Sequence, residues 1–380
     1  MKHFENANVY VEGKGVVCTT LSFGARIERI GGAATGEKVE LPSGTVVCPG
    51  FIDQHVHGAG GADAMDGSTA ALAVIADTLA KEGTTRFLAT TMTQSDENIR
   101  RAMRAVKAYC KSGREEGAGL LGAHLEGPFI SQKHIGAQPP EYVVKPNIGL
   151  FDAWQSESGN AVRLITLAPE EEGAQEFVRH AAAKGARVSA GHSDAGYEDV
   201  CRVKECGLTS VTHTFNAHRG VHHREIGVAG AAMLCDDLCA ELIADGIHVS
   251  VPAMRLLYKN KPRGKLILIT DSIRAKGIGE GESELGGQKV YVRGGEARLS
   301  NGALAGSVLA MNVAVRNLVQ KAGVPFTDAI DCATINPAEH LGVAENLGSI
   351  RAGKCADFVV LDEHCNVVVS IRDGNIVYKA

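Results

Sequence analysis

Imidazole and carboxylate side chains recur in this sequence at the ends of apolar segments, where they could bind a metal ion. His55 and His57 are two residues apart, so on a strand both rings point the same way and can reach one ion. Imidazole nitrogens and carboxylates without thiolates suit Zn²⁺ or Fe²⁺ and are also compatible with Mn²⁺ or Co²⁺. The sequence therefore predicts a site for one or two divalent ions per chain, held by His55, His57, Glu126, His192, His213 and Asp271.

The predicted site is catalytic rather than structural. Five or six ligands exceed the four that close a structural zinc site, which leaves room for a substrate. An open site of this kind generates hydroxide at neutral pH and polarises a carbonyl group. Asp271 follows the apolar run Leu266–Thr270, where a buried charge is costly unless it meets a cation or acts as a base. Any one of the 14 histidines is more simply explained as structural, so the prediction depends on all the positions together.

Eight apolar segments alternate with helical segments in the middle of the chain, which is the pattern of βα units around a parallel sheet. The C-terminal ends of barrel strands form one face, where active sites assemble. We therefore predict a TIM barrel, an α/β fold, with a doubly wound open sheet as the alternative. A predicted β-hairpin at Gly287–Asn301 interrupts the alternation after the eighth strand. The predicted strands are Phe51–His57, Thr85–Thr93, Leu120–Glu126, Val162–Ala168, Ala186–His192, Leu208–His213, Ala240–Asp245 and Lys265–Asp271.

The two ends of the chain differ from its middle in sequence pattern. Residues 1–50 contain short β-branched segments separated by glycines, and the last residues repeat this pattern with an Asp373-Gly374 turn typical of a hairpin. Neither end is large enough to bury a core by itself. We therefore expect residues 1–50 and 349–380 to pair into one small β-sandwich domain, with residues 51–348 forming the barrel.

Composition narrows the class of protein further. The chain has 380 residues, of which 44% are hydrophobic and 22% charged, and this excludes a disordered or collagen-like protein. A formal net charge of −5 argues against nucleic-acid binding through a broad basic surface. No segment approaches the roughly 20 apolar residues that cross a bilayer, and residues 1–10 lack the apolar core of a secretory signal. The ten cysteines form no CxxC pair, so we expect reduced thiols in a cytoplasmic protein.

The order of the candidate ligands along the chain resembles the amidohydrolase superfamily, which combines such a barrel with a small β unit built from both chain ends. Within that superfamily, the sequence is similar to the N-acetylglucosamine-6-phosphate deacetylases. The motifs that carry this resemblance follow the family order over nearly the whole chain. They are His124–Phe129, Ser189–Ser193, Thr212–Ala217, Gly220–Gly230, Ala244–Val249, Thr270-Asp271 and Leu304–Ser307.

The resemblance implies how the metal ligands divide. Glu126, His192 and His213 match the ligands of the family's principal metal. His55 and His57 match the pair that holds a second ion in those members that keep it. Glu126 occupies the bridging position, so the resemblance requires no carboxylated lysine.

The resemblance also implies catalytic and substrate-binding residues. Asp271 resembles the family's general base, which takes a proton from metal-bound water and then gives it to the departing amine. His248 resembles the residue that polarises the acetyl carbonyl. Arg224 resembles the arginine that binds phosphate in the neighbouring subunit's site, so a homodimer is expected. Further contacts with the sugar phosphate are implied for Ala137, Gln138, Asn216, Ala217, Leu304, Ala305 and Gly306.

The implied activity is hydrolysis of the acetamide of N-acetyl-D-glucosamine 6-phosphate to D-glucosamine 6-phosphate and acetate. The expected partner is thus a small amino-sugar phosphate, with no nucleic acid and no membrane. Two alternatives stay open: the galactosamine epimer or another amide as substrate, and a barrel that has lost catalysis, which the occupied ligand positions disfavour. The sequence departs from the family pattern at Arg274 and at His218, His222 and His223, where extra positive charge could change the preferred sugar phosphate.

Overall fold

The N-terminal segments alternate buried apolar residues with exposed polar ones, and they form strands of one sheet. The computed structural model describes residues 1–380, and its first strands are β1 (Lys2–Val11), β2 (Gly15–Phe23), β3 (Ile27–Ile30), β4 (Glu37–Lys38) and β5 (Val46–Pro49). β1 pairs antiparallel with β2 and parallel with β4 and β5, and β2 pairs antiparallel with β3. Phe4, Leu21 and Phe23 belong to the buried face of this sheet.

The apolar segments of the central part form strands that are buried on both faces, as expected for a parallel sheet covered by helices. All eight predicted barrel strands are present. In chain order, the elements are β6 (Phe51–Val56), β7 (Gly58–Ala59), β8 (Ala62–Asp63), α1 (Thr69–Ala80), β9 (Thr84–Thr91), α2 (Asp96–Lys111), β10 (Gly119–Glu126), α3 (Ile148–Ser158), β11 (Val162–Leu167), α4 (Ala174–Ala183), β12 (Arg187–Ala190), α5 (Tyr197–Lys204), β13 (Leu208–Val211), α6 (Gly227–Leu234), β14 (Cys239–Ile243), α7 (Val251–Asn260) and β15 (Leu266–Ile269), with short 3₁₀ turns at Ala64–Asp66, Gln132–His134 and Pro140–Tyr142.

The parallel strands close on themselves into a barrel. Their order is β6-β9-β10-β11-β12-β13-β14-β15, so neighbours in the chain are neighbours in the sheet. At the closing edge, the backbone N–H of Asp271 donates to the carbonyl of His55 at 2.9 Å, and Val56 and Ser272 form a parallel bridge. The TIM-barrel prediction is confirmed, and the doubly wound alternative is wrong because the strand order never reverses.

The barrel interior near its C-terminal face is polar, although such interiors are usually filled by branched aliphatic side chains. Nδ1 of His124 lies 3.3 Å from the Thr90 hydroxyl, and its Nε2 lies 2.8 Å from the Thr166 hydroxyl. The Thr166 hydroxyl in turn contacts that of Thr212 at 2.8 Å. All four side chains are buried, so this polar layer lies beneath the residues at the strand ends.

The predicted hairpin at Gly287–Asn301 is part of a larger insertion. It forms a three-stranded antiparallel sheet of β16 (Gly281–Leu285), β17 (Gln288–Arg293) and β18 (Glu296–Leu299). Its buried side chains, such as Leu285 and Val290, form a hydrophobic cluster with Met92 and Ile273. Because Met92 follows β9 and Ile273 follows β15, the inserted sheet lies on the C-terminal side of the barrel.

The end of the chain completes the terminal sheet. After α8 (Met311–Gln320), α9 (Phe326–Ala333) and α10 (Ile335–His340), the chain forms β19 (Phe358–Leu361), β20 (Val367–Arg372) and β21 (Asn375–Lys379). β19 pairs antiparallel with β5, so the two chain ends pair as predicted, although their strands form one mixed sheet and not a sandwich of two. The rings of Phe4, Phe23 and Phe358 pack with centroids 5.0 to 6.0 Å apart. None of the helices has both the length and the apolar character needed to cross a bilayer.

Candidate active site

The ends of five barrel strands bring imidazole and carboxylate side chains together at the C-terminal face. Three of these residues lie just beyond a strand, with a left-handed backbone: φ is +49° at His192, +30° at His213 and +49° at Asp271. This conformation is uncommon for residues other than glycine and is concentrated at functional sites. The chain therefore turns, at each of these strand ends, at a residue whose side chain contributes to the site.

Glu126, His192 and His213 form a first buried cluster. Oε1 of Glu126 lies 3.1 Å from Nε2 of His192 and 3.0 Å from Nε2 of His213, and the two Nε2 atoms are 3.2 Å apart. Nδ1 of His192 is 3.1 Å from the carbonyl oxygen of His134, to which it can donate. That contact orients the ring with Nε2 toward the cluster.

His55, His57 and Asp271 form a second buried cluster beside the first. Oδ1 of Asp271 lies 3.4 Å from Nε2 of His55 and 3.2 Å from Nε2 of His57. Glu126 lies between the clusters, because its Oε1 is 3.4 Å from Nε2 of His55 and its Oε2 is 3.2 Å from Nε2 of His57. One carboxylate thus faces the imidazoles of both clusters.

The charges of the two clusters shift the pKa values of their members. Burial lowers the pKa of His55, but the carboxylates of Asp271 and Glu126 outweigh burial and hold that pKa well above its ordinary value. Burial also lowers the pKa of His57, but the same two carboxylates outweigh burial and raise that pKa to about 9. Burial raises the pKa of Glu126, yet the imidazoles, His55 foremost, hold it well below its usual range, and the pKa of Asp271 is lowered in the same way. Both carboxylates are therefore ionised and attract positive charge into a buried space.

The donor set fits divalent metal ions. Buried imidazole nitrogens and carboxylate oxygens, without thiolates, are ligands suited to Zn²⁺, Fe²⁺ and related ions. The separations of 3.0 to 3.4 Å within the clusters match the edge, about 3.3 Å, of a tetrahedron with 2.0 Å bonds. Two such clusters sharing Glu126 indicate a binuclear metal site.

A cavity of about 250 Å³ opens over both clusters. Met92 and Leu285 contribute apolar wall on the side of the inserted sheet. The structure brings most of the residues predicted from the sequence around this one space. Those that line it are His57, Glu126, Ala137, Gln138, His192, His213, Asn216, Ala217, His248, Asp271, Leu304 and Gly306.

Three predicted site residues lie outside the cavity wall. His55 is wholly buried, with Nε2 facing the second cluster. Ala305 does not line the cavity, because it is buried in the hydrophobic cluster of the inserted sheet. Arg224 lies in an exposed turn with Nη1 2.7 Å from Nε2 of His223, and it does not reach the cavity of its own chain.

The basic residues that depart from the family pattern lie at three different places in the structure. Arg274 pairs with Asp66 at 2.8 Å and faces a separate cavity. His218 is buried behind the site, where its Nε2 accepts the backbone N–H of Phe215 at 2.9 Å. His222 and His223 are exposed in the same turn as Arg224. None of these four residues lines the cavity, and two of them accompany Arg224.

Two cavity residues are held in place by short hydrogen bonds. Nε2 of Gln138 donates to Oε2 of Glu126 at 2.6 Å, and Oε1 of Gln138 accepts the backbone N–H of Thr93 at 2.7 Å. Gln138 therefore orients a candidate metal ligand as well as lining the cavity. Nδ1 of His248 donates to Oδ2 of Asp245 at 2.6 Å, which leaves Nε2 of His248 free to contact a substrate.

Asp245, Met92 and Leu285 belong to the site or support it, and Oε2 of Glu241 lies 3.5 Å from Nδ1 of His55, yet the sequence analysis did not select these four residues. A signal was available for Glu241, because it is the one charged residue in the otherwise apolar strand Cys239–Ile243. The spacing of three residues between Asp245 and His248 was a weaker signal. Met92 and Leu285 carry no signal of this kind, because apolar residues beside a barrel are indistinguishable in sequence from core residues.

Comparisons with known proteins agree with this geometry. The model of the amidohydrolase family matches residues 46–378. The chain belongs to the amidohydrolase family. This amidohydrolase is 43% identical over 345 residues to the N-acetylglucosamine-6-phosphate deacetylase of Bacillus subtilis, and the aligned region covers 90% of this chain and 87% of that protein. It is 38% identical over 343 residues to the N-acetylgalactosamine-6-phosphate deacetylase of Escherichia coli, covering 90% of this chain and 89% of that protein.

A solved amidohydrolase structure shows the same fold over the full length. The N-acetylglucosamine-6-phosphate deacetylase of Thermotoga maritima is 34% identical in sequence and matches with a TM-score of 0.90, covering 100% of both chains. Within its family, the chain therefore belongs with the N-acetylglucosamine-6-phosphate deacetylases.

Proposed function

We propose that this amidohydrolase hydrolyses the acetamide of N-acetyl-D-glucosamine 6-phosphate, releasing D-glucosamine 6-phosphate and acetate. The observation that carries the proposal is the pair of buried imidazole and carboxylate clusters beneath one cavity, in a chain 43% identical to the Bacillus subtilis deacetylase. In this proposal residues 51–348 form the catalytic domain, and residues 1–50 with 349–380 form a small supporting domain.

The two clusters would each hold a divalent ion. Glu126, His192 and His213 would hold the first, and His55, His57 and Asp271 would hold the second, with Zn²⁺ or Fe²⁺ expected ahead of Mn²⁺ or Co²⁺. When bound, the ions supply Lewis acidity that lowers the pKa of water and polarises the acyl carbonyl.

Asp271 is suited to move the proton. Its Oδ1 faces the imidazoles of His55 and His57 at 3.4 and 3.2 Å. The imidazoles keep the pKa of this carboxyl below its usual range despite burial, so it is ionised before the reaction and has room for a proton. Asp271 takes the proton of the attacking water and gives it to the amide nitrogen as the C–N bond breaks, so that a primary amine and acetate leave.

His248 is suited to stabilise the carbonyl oxygen. Oδ2 of Asp245 accepts the Nδ1–H of His248 at 2.6 Å, which orients the ring. When Nε2 also carries a proton, its N–H donates to the acyl oxygen as negative charge develops on it. A preoriented donor of this type is worth roughly 3 kcal/mol of transition-state stabilisation.

Substrate binding in this proposal uses two subunits of a homodimer. Arg224 is exposed and does not line the cavity of its own chain, so we assign it to the partner subunit's cavity, where its guanidinium binds the 6-phosphate. Asn216 and Ala217 of the chain itself line the cavity and would offer amide donors to the same phosphate. Ala137, Leu304 and Gly306 line the space left for the sugar ring.

The deciding experiment measures acetate release from a panel of N-acetylated sugars, with metal analysis of the same protein preparation. The panel contains N-acetylglucosamine 6-phosphate, its galactosamine epimer and unphosphorylated N-acetylglucosamine. The epimer is included because an Escherichia coli relative named for it is 38% identical to this chain. We expect the highest kcat/KM for N-acetylglucosamine 6-phosphate. No acetate from that compound with metal-replete protein would refute the proposal, and a higher kcat/KM for the epimer would reassign the substrate.

A further inference from the structure

Glu241 is a wholly buried carboxylate in β14, and the mechanism above does not use it. Its Oε1 accepts a hydrogen bond from Nε2 of Gln54 at 2.5 Å. Its Oε2 accepts the backbone N–H of His213 at 3.2 Å and lies 3.5 Å from Nδ1 of His55. No lysine or arginine lies within ion-pair distance of this carboxylate, whereas the ring of His55 does.

A buried carboxylate is costly unless positive charge and hydrogen bonds compensate it. Gln54 and the backbone of His213 supply two neutral donors, and Nδ1 of His55 faces Oε2 of Glu241 as a third. The ring of His55 places Nδ1 toward Glu241 and Nε2 toward His57, Glu126 and Asp271. With its proton on Nδ1, His55 presents the Nε2 lone pair to the second cluster.

We propose that Glu241 is the positioning residue of the second metal site, where it fixes the orientation and tautomer of His55 and raises the basicity of Nε2. This inference rests on the metal binding of the proposed function and is independent of the substrate.

The other imidazoles of the two clusters differ from that of His55 in what faces their Nδ1 atoms. Nδ1 of His57 and Nδ1 of His213 are buried without a hydrogen-bond partner, and Nδ1 of His192 faces a backbone carbonyl. His55 alone has a carboxylate behind it. A carboxylate in this position selectively strengthens binding at the cluster that His55 serves.

Gln54, which donates to Glu241, is itself held by further hydrogen-bonding side chains. Oε1 of Gln54 lies 3.0 Å from Nδ1 of His340, and Nε2 of His340 lies 3.1 Å from the hydroxyl of Thr209. The side chains of this relay are buried or half-buried. The carboxylate is therefore fixed at one end by the relay and faces the metal ligand at the other.

The test compares metal binding by wild type and Glu241→Gln, because glutamine keeps the shape of the side chain and removes its charge. Metal-free protein is titrated with Zn²⁺ against a competing chelator, which yields the stoichiometry and both affinities. We expect Glu241→Gln to bind one ion with wild-type affinity and the second about 10- to 100-fold more weakly. Asp328→Asn is the matched control, because Asp328 is a buried carboxylate paired with Tyr258 and Arg263 away from both clusters.

Equal affinities in wild type and Glu241→Gln, or an equal loss at both sites, would overturn this inference and leave the proposed function intact. A wild-type chain that binds no Zn²⁺ would overturn both.

A second measurement covers the case in which Glu241→Gln is too unstable to titrate. The thermal stability of the metal-free chain is measured for His55→Asn, Glu241→Gln and the double variant. If Glu241 serves His55, the double variant is more stable than the sum of the single effects predicts, because neither group is left buried without its partner. Additive losses, or a double variant that does not fold, would show that Glu241 serves the barrel and not His55.

Discussion

One carboxylate oxygen of Asp271 faces two imidazoles of the second cluster. Asp271 can therefore be replaced without removing a ligand of the first cluster. We expect Asp271→Asn to keep the ion of Glu126, His192 and His213, because asparagine retains the shape of the side chain. Its kcat should fall roughly 10²- to 10⁴-fold, because the proton acceptor is lost. Acetate release and metal content are measured on the same sample. Undiminished turnover would remove Asp271 from the mechanism.

Buried His340 predicts a pH dependence of stability. Burial lowers its pKa from 6.5 to about 4 in the folded chain. Between these two values the unfolded chain binds a proton that the folded chain does not, so stability falls as pH drops from 6.5 toward 4. The melting temperature of wild type should therefore decline more steeply over this window than that of His340→Gln. Parallel declines would mean that His340 does not titrate in this way.

At the residue scale, sequence reasoning identified residues with chemical signatures and missed those that act through position. His192 and Asp271 ended apolar segments, and the structure places both at the cavity. Arg224 resembles a phosphate ligand, but which chain's cavity it serves depends on an assembly that no single sequence displays. Glu241 stands out as the one charged residue of its apolar strand, but its role was not predictable because register, and not residue type, determines which face of the strand it occupies.

The inserted sheet of β16, β17 and β18 forms one wall of the cavity with a small core of its own. Leu285 is buried in that core and also lines the cavity. We expect Leu285→Ala to raise KM roughly tenfold, the effect of losing apolar contact in a pocket. Because this core is separate from the main one, hydrogen exchange should accelerate in residues 281–299 and stay slow in the barrel strands.

Tyr291 on β17 is the control for this element, because its side chain is 42% exposed. Tyr291→Ala should leave KM unchanged. Faster exchange throughout the barrel of Leu285→Ala would show that the inserted sheet is part of the main cooperative unit.

At the element scale, all eight barrel strands were predictable because their apolar runs have the length and composition of buried strands. The residues at which these strands end were less predictable. The fifth strand was predicted to reach His192 but ends at Ala190, and the sixth was predicted to reach His213 but ends at Val211. The left-handed backbone at both histidines stops the ladder, and single-sequence patterns do not reveal a positive φ at a residue other than glycine.

The proposed dimer makes a prediction for the whole molecule. If Arg224 serves the partner's cavity, subunits of Arg224→Ala and Asp271→Asn are complementary. A hybrid dimer then contains one site with both residues intact, so an equal mixture of refolded subunits should recover about a quarter of wild-type activity. Each variant alone should stay nearly inactive toward the 6-phosphate. A mixture no more active than its parts would place Arg224 in its own chain's site.

The terminal sheet is attached to the barrel by a buried ion pair. Arg86 on β9 donates through Nε to Oδ2 of Asp357 at 2.7 Å and pairs with Asp373 at 2.6 Å. Arg86→Ala leaves the buried carboxylate of Asp357 unpaired, so the free energy of unfolding should fall by about 3 kcal/mol. Urea unfolding measures this loss. We expect kcat/KM to stay unchanged, because Arg86 does not line the active-site cavity.

The exposed pair Arg202–Asp199 provides the control for Arg86. Arg202→Ala removes an ion pair of 3.0 Å between partly exposed side chains and should change stability by less than about 0.5 kcal/mol. Similar losses in both variants would show that burial of Asp357 is not what makes the Arg86 pair important.

The union of both chain ends in one sheet has a consequence for synthesis. During translation, Phe4 and Phe23 emerge long before Phe358, whose ring completes their packing, and β5 lacks its neighbour β19 until then. A nascent chain therefore carries an open β edge and an uncovered aromatic patch throughout production of the barrel. Ribosome stalling or a stop codon near the 3′ end of the message would leave that edge exposed for good. Late truncation should thus favour aggregation, even though the lost residues lie outside the cavity.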